Sequence, residues 1–239
     1  GDALTDADSN VAMGHSALST DTKGSRSVAI GASALETQNF TSGTFTYNVG
    51  VGTLAGAAVT TGIFNTLIGG LSGDALTVGQ ENVALGYLAL TADTKGSHSV
   101  AIGPYALQAQ NFTSATDTFN TAVGYAAGNA VSTGVNNTLI GGQAGVAITT
   151  GNNNVALGFE TLKNEDAHGK NTAIGTQALF TLNAGADGQN TAVGFQTGAA
   201  ITSGVQNTLV GGLAGDALQD ADYNTAVGFE ALSSDNLGS

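Results

Sequence analysis

A five-residue pattern returns thirteen times along this chain, starting at Asn10, Ser27, Asn48, Asn65, Asn82, Ser99, Asn120, Asn137, Asn154, Asn171, Asn190, Asn207 and Asn224. Each copy reads Asn or Ser, then Val or Thr, a small residue or Leu, an aliphatic residue, and Gly. Successive copies lie 17, 21, 17, 17, 17, 21, 17, 17, 17, 19, 17 and 17 residues apart. A period of this size is the signature of stacked structural units that cannot bury an apolar face alone. Every fourth copy closes a longer unit, because Asn10, Asn82, Asn154 and Asn224 are separated by 72, 72 and 70 residues. The chain is therefore expected to be a single repeat domain over 1–239, with super-repeats at about 10–81, 82–153 and 154–223 and a final rung at 224–239. Its opening Gly1-Asp2-Ala3-Leu4 matches Gly73–Leu76 and Gly215–Leu218, so it is read as a segment of a longer array.

The rungs come in two kinds. Counting the motif Asn or Ser as position 1, position 9 is Leu in two consecutive rungs (Leu18, Leu35) and Gly in the next two (Gly56, Gly73), and this alternation continues to Leu232. Where position 9 is Gly, an aliphatic residue stands three places later, as at Val59 and Leu76. Moving one apolar plug along the rung lets both kinds fill a comparable interior.

Position 2 is always Val or Thr and position 4 is always aliphatic. Such alternation predicts a short strand with those side chains on its buried face. The invariant Gly at position 5 marks a tight bend, and the Ala, Ser or Thr at position 8 predicts a second short strand. Two short strands and two turns in 17 residues describe one coil of a parallel β-solenoid. The fold class is all-β, and the stacked Asn side chains are expected to form an amide ladder.

On this assignment position 3 faces away from the core. It is Ala in nine rungs, Leu in three and Gly at Gly50, where a solvated strand would carry polar residues. The expectation is a subunit interface formed by Ala29, Leu67, Ala101, Leu139, Ala173 and Leu209, since a thin coil gains by hiding a second apolar face.

Composition removes several function classes. There is no Cys, hence no disulfide framework and no thiolate site. Five Lys and Arg stand against eighteen Asp and Glu, a net charge of −13, so the basic patch that nucleic-acid binding requires is missing. No apolar run is long enough to span a membrane. His15, His98 and His168 sit at unrelated rung positions and form no ligand set, and the turn acids Asp6, Asp8, Asp220 and Asp222 lack the pattern of a dedicated calcium loop. No catalytic set, cofactor or metal site is read from the sequence, and the chain is not expected to be an enzyme.

The copies at Ser27–Gly31 and Ser99–Gly103 read SVAIG, and those at Asn120, Asn190 and Asn224 read NTAVG. They resemble the head repeats of YadA-type trimeric autotransporter adhesins and the repeats of phage tail fibres. The resemblance covers nearly the whole chain, although the adhesin heads have a period of about 14 to 15 where this chain has 17. It implies a left-handed parallel β-roll, a homotrimer, an extracellular location on a cell surface or virion, and attachment to a host glycan or protein receptor. In the 21-residue rungs, Gln38–Ser42 and Gln110–Ser114 are matching insertions, and insertions in solenoids often carry binding. Two readings stand for these aromatics: they cap a groove between subunits, or Phe40, Phe45, Tyr47, Phe112 and Phe119 are candidate ligand-binding residues.

Overall fold

The computed structural model describes residues 1–236. They form an all-β parallel solenoid of about thirteen turns at roughly 17-residue spacing, with no helix among the described residues and so none that could cross a membrane. The chain divides into two compact units, Gly1–Phe119 and Asn120–Ser239.

In the first unit the motif strands are β1 (Val11–Met13), β3 (Val28–Ile30), β5 (Val49–Val51), β6 (Thr66–Ile68), β7 (Val83–Leu85) and β9 (Val100–Ile102). Between them lie the two-residue strands β2 (Gly24–Ser25) and β4 (Thr44–Phe45), which pair with each other, and β8 (Gly96–Ser97) and β10 (Thr116–Asp117), which do likewise. The second unit stacks β11 (Thr121–Val123), β12 (Thr138–Ile140), β13 (Val155–Leu157), β14 (Thr172–Ile174), β15 (Thr191–Val193), β16 (Thr208–Val210) and β17 (Thr225–Val227). Within each unit pairing is parallel and without slip. Ala29 pairs with Gly50, Gly50 with Leu67 and Leu67 with Ala84, so each position lies over its equivalent one rung away.

The ladder that holds this register includes direct amide bonds, from Asn82 to Asn65, Asn207 to Asn190 and Asn224 to Asn207, and adds backbone partners to them. Each motif Asn accepts, on Oδ1, the backbone N–H of the next motif residue: Asn65 N to Asn48 Oδ1 at 2.9 Å, Asn82 N to Asn65 Oδ1 at 3.0 Å, and likewise from Asn137 to Asn120 and from Asn154 to Asn137. Nδ2 donates across the coil to a carbonyl fourteen residues on, as from Asn48 to Gly62 and from Asn65 to Gly79, with Asn171 an exception, its Nδ2 being buried without a partner. One side chain thus joins two rungs and closes its own coil.

The assignment of faces is the reverse of the one the alternation predicts. Position 3 points inward: Ala29, Leu67, Ala101, Leu139, Ala173 and Leu209 are all fully buried by their own chain, so they form the interior and not a subunit interface. Positions 2 and 4 point outward, half-buried or exposed. Volume is the reason. A 17-residue coil leaves room beneath the strand for an Ala methyl opposite a Leu at position 9, or for a Leu opposite Gly. A Cβ added at Gly56 or Gly73 would lie 2.6 or 2.7 Å from the Leu67 methyls, and one added at Gly50 would lie 2.8 Å from Leu35 Cγ.

Position 8 is not a second strand either. It sits in a turn between two left-handed residues, at positions 7 and 9: Ser16 and Leu18 have φ of 57° and 49°, Ser33 and Leu35 56° and 48°. The residue before each motif is left-handed too, including Arg26, Tyr47, Phe64, His98 and Phe119. Extended backbone cannot run through such positions.

At position 5 both conformation and space require Gly. Gly69 has φ of 135°, and a Cβ there would meet the Gly86 carbonyl oxygen at 2.5 Å; Gly43, in an insertion loop, has nothing within 4 Å. Gly69→Ala is expected to cost roughly 3 kcal/mol or more, from backbone strain plus overlap with unyielding backbone. Gly43→Ala should change stability by less than about 0.5 kcal/mol. Urea unfolding of the two variants checks the contrast.

Candidate functional site

The inversion of faces leaves an outward sheet surface built from aliphatic and Thr side chains. Positions 2 and 4 hold no charged residue in any rung. In the first unit Val11, Met13 and Leu85 are exposed, with Tyr87 beside them; in the second, Leu157, Val210 and Val227 are exposed, with Tyr125, Phe159, Phe195 and Phe229. The five aromatics all follow the position-5 Gly, which the motif itself does not include. They stand in every second rung from the Asn82 rung to the Asn224 rung, a regularity that lies just outside the five-residue motif.

The insertion-loop candidates separate into two groups. Phe40 and Phe112 are buried, with 8% and 7% of their surface exposed, so they pack and are not available as ligand contacts. Their backbone N–H groups donate to buried carboxylates, Phe40 to Asp21 and Phe112 to Asp93. Phe45, Tyr47 and Phe119 are exposed by about half. Phe45 and Tyr47 belong to a cluster that extends further than the sequence suggested. The Arg26 guanidinium lies 3.9 Å from the Phe45 ring centroid, its Nη1 donates to the Tyr47 hydroxyl, and Tyr47 stacks on Phe64 with centroids 5.7 Å apart. Arg26 and Phe64 lie one rung either side of Tyr47, a juxtaposition legible only once the rung is known to place the residue before the motif on the surface.

Exact 72-residue offsets show what became of this place in the other super-repeats. Arg26 corresponds to His98 and then to Lys170. His98 stacks on Phe119 with centroids 5.1 Å apart and lies between the carboxylates of Glu81 (3.4 Å) and Asp117 (3.1 Å). Lys170 pairs with Asp187 at 2.7 Å, and that contact holds the Asp187 carboxyl below its usual range. Each super-repeat thus presents Arg, His or Lys at one surface point, with aromatic partners at Arg26 and His98 and carboxylates at His98 and Lys170.

A second set of equivalent positions lies inside the coil. Asp21, Asp93 and Glu165 occur at 72-residue intervals, all fully buried. Asp21 accepts from Gly24 N (3.0 Å), Phe40 N (3.1 Å) and Gln38 Nε2 (2.6 Å), and Asp93 does the same with Gly96, Phe112 and Gln110. In the third super-repeat Leu182 stands where Gln38 and Gln110 stand in the others. Glu165 keeps only backbone donors, His168 N at 3.1 Å and Ala184 N at 3.3 Å, and burial pushes its carboxyl above the usual range despite them and the adjacent His168 ring. Glu165, Asp166 and His168 are also a group of three possible metal ligands, their nearest donor atoms within 4.8 Å of one another. Compared with known proteins, the chain matches no family model, no curated protein and no solved structure.

The raised Glu165 carboxyl has a definite sign. The folded state binds its proton more tightly than the unfolded chain, so its contribution is fully present below the ordinary Glu range, near pH 4.5, and is lost as pH rises above that range. Glu165→Gln, which keeps the shape without the charge, should gain stability relative to wild type as pH is raised from 4 to 7. Urea midpoints of the pair across that window measure it, and a constant difference would contradict the assignment.

Proposed function

We propose that this chain is a non-catalytic structural and adhesive module of an extracellular fibre, assembled as a homotrimer and displayed on a cell surface or virion. The observation that carries the reading is the outward face of the sheet. It presents Val, Ile, Leu, Met and Thr at positions 2 and 4 in rung after rung, with no charge. Contiguous apolar surface of this kind marks an association site. A second copy fits it because both faces would share one 17-residue period and one strand spacing. The number three comes from the resemblance of the SVAIG and NTAVG copies to trimeric fibre repeats. The subunit seam in this reading is the position 2 and 4 face, since position 3 is spent on the interior.

Attachment is assigned to the exposed aromatics of the first unit, Phe45, Tyr47 and Phe119, joined by Arg26 and Phe64. A host glycan or protein would meet rings that stand clear of the coil. The surface cost of placing bulky residues in left-handed backbone supports a role beyond folding, because Asn is the easier residue there and is used at Asn136 and Asn153. Repetition along a trimeric fibre would convert weak single contacts into avidity.

Light scattering on the purified chain tests the assembly. The expected mass is three times 23.4 kDa, and a folded monomer would contradict it. Screening on a glycan array tests attachment: binding lost in Phe45→Ala and Tyr47→Ala but kept in the surface variant Thr61→Ala is the expected pattern.

A further inference from the structure

Two rungs depart from the Asn ladder. Position 1 is Ser only at Ser27 and Ser99, and these are the two rungs whose position 12 is Gln, at Gln38 and Gln110. In both, position 12 of the preceding rung is Asp, so a carboxylate stacks directly against the carboxamide. We propose that each Ser forms an intramolecular ester with the Gln of its own coil, Ser27 with Gln38 and Ser99 with Gln110, releasing ammonia and leaving a covalent bridge across the coil.

Each group the reaction needs is in place, and Asp21, Ser27, Gln38, Thr46 and Asn48 are all fully buried. The Gln38 Nε2 donates to Ser27 Oγ at 2.9 Å, which sets the hydroxyl oxygen beside the amide, one covalent bond from the carbon it attacks. The same nitrogen donates to Asp21 Oδ2 at 2.6 Å. The Gln38 carbonyl oxygen accepts from Asn48 Nδ2 at 2.8 Å, a donor aimed where negative charge develops on attack. Thr46 donates its own proton to the Ser25 carbonyl, so in its 2.5 Å contact with Ser27 it is the acceptor, and the Ser27 lone pairs stay turned toward the carboxamide. The second copy repeats the geometry: Gln110 Nε2 lies 2.8 Å from Ser99 Oγ and 2.6 Å from Asp93 Oδ2, and Ser99 Oγ lies 2.6 Å from Thr118 Oγ1.

The chemistry balances without any co-reactant. The Ser27 Oγ–Gln38 Cδ bond forms and the Cδ–Nε2 bond breaks. The hydroxyl proton passes from Ser27 Oγ to the departing Nε2, 2.9 Å away, while Asp21 Oδ2 holds that nitrogen at 2.6 Å, and ammonia leaves. Fixed orientation supplies the effective concentration that a free alcohol and amide lack. Exclusion of water protects the ester, and escape of ammonia makes the step one-way. The third super-repeat is an internal control, since Asn171 and Leu182 occupy the Ser and Gln positions and no bridge can form there.

Intact-mass spectrometry of the purified, folded chain tests this independently of any fibre or receptor reading. The expected mass falls short of the sequence mass by two ammonias, and chymotryptic digestion yields branched peptides joining the Ser27 segment to the Gln38 segment and the Ser99 segment to the Gln110 segment. Ser27→Ala should fall short by one ammonia only. An unmodified mass overturns the proposal, as does a loss of ammonia that maps to a linear peptide at an Asn. If Ser27→Ala does not fold, the peptide map of the wild-type chain decides alone.

Discussion

Every feature of this solenoid depends on one bond pattern, the motif Asn that accepts the next rung's N–H and donates across its own coil. The acceptor half sets rung on rung with no slip, so that Asn48, Asn65 and Asn82 stack as equivalents. The donor half sets the girth of the coil, because Nδ2 reaches a carbonyl fourteen residues on. Both bonds are buried, and an unmet amide there would carry the full desolvation cost of about 1–3 kcal/mol. With register and girth determined, the interior volume is determined as well. Leu at position 3 then occurs only with Gly at position 9, as at Leu67, Leu139 and Leu209, while Ala at position 3 occurs with either Leu or Gly there.

That volume limit explains what could and could not be read from the residues. Rung length, the super-repeat, the invariant Gly bend, the moving apolar plug and the parallel solenoid all follow from spacing and residue type. Which way the strand faces does not follow from apolar alternation when both faces are apolar. Val and Ile at positions 2 and 4 look like a core, yet the strand turns them outward and buries position 3 instead. The informative signal lay elsewhere in the same rungs: Leu67, Leu139 and Leu209 at position 3 each coincide with Gly at position 9, a size exchange that only interior neighbours would show. The second strand expected at position 8 fails for a different reason. The left-handed residues flanking it are Leu, Ser, Gln or Tyr far more often than Gly, so nothing in their identity announces the turn.

The candidate site was legible in part. Phe45, Tyr47 and Phe119 stand on the surface as an insertion-loop reading expects, whereas Phe40 and Phe112 are drawn inward by the buried Asp of the preceding rung. Arg26 and Phe64 join the cluster through stacking across rungs, which no local window reveals. The buried carboxylates were also beyond local reading. Asp21 and Asp93 look like turn residues until the 17-residue stack sets each against a Gln, and Glu165 becomes distinctive only because Leu182 has replaced that partner.

The direction of the strand faces is the point on which interior, seam and exposed aromatics all turn. Ala84 and Leu85 are adjacent, the first fully buried and the second exposed, so one substitution at each separates the two assignments. Thermal unfolding followed by circular dichroism on Ala84→Asp and Leu85→Asp is the most direct measurement. A charge buried at position 84 should abolish cooperative folding or lower the midpoint steeply, while the same charge at position 85 should leave the coil folded. A folded Ala84→Asp chain beside an unfolded Leu85→Asp chain would contradict the account.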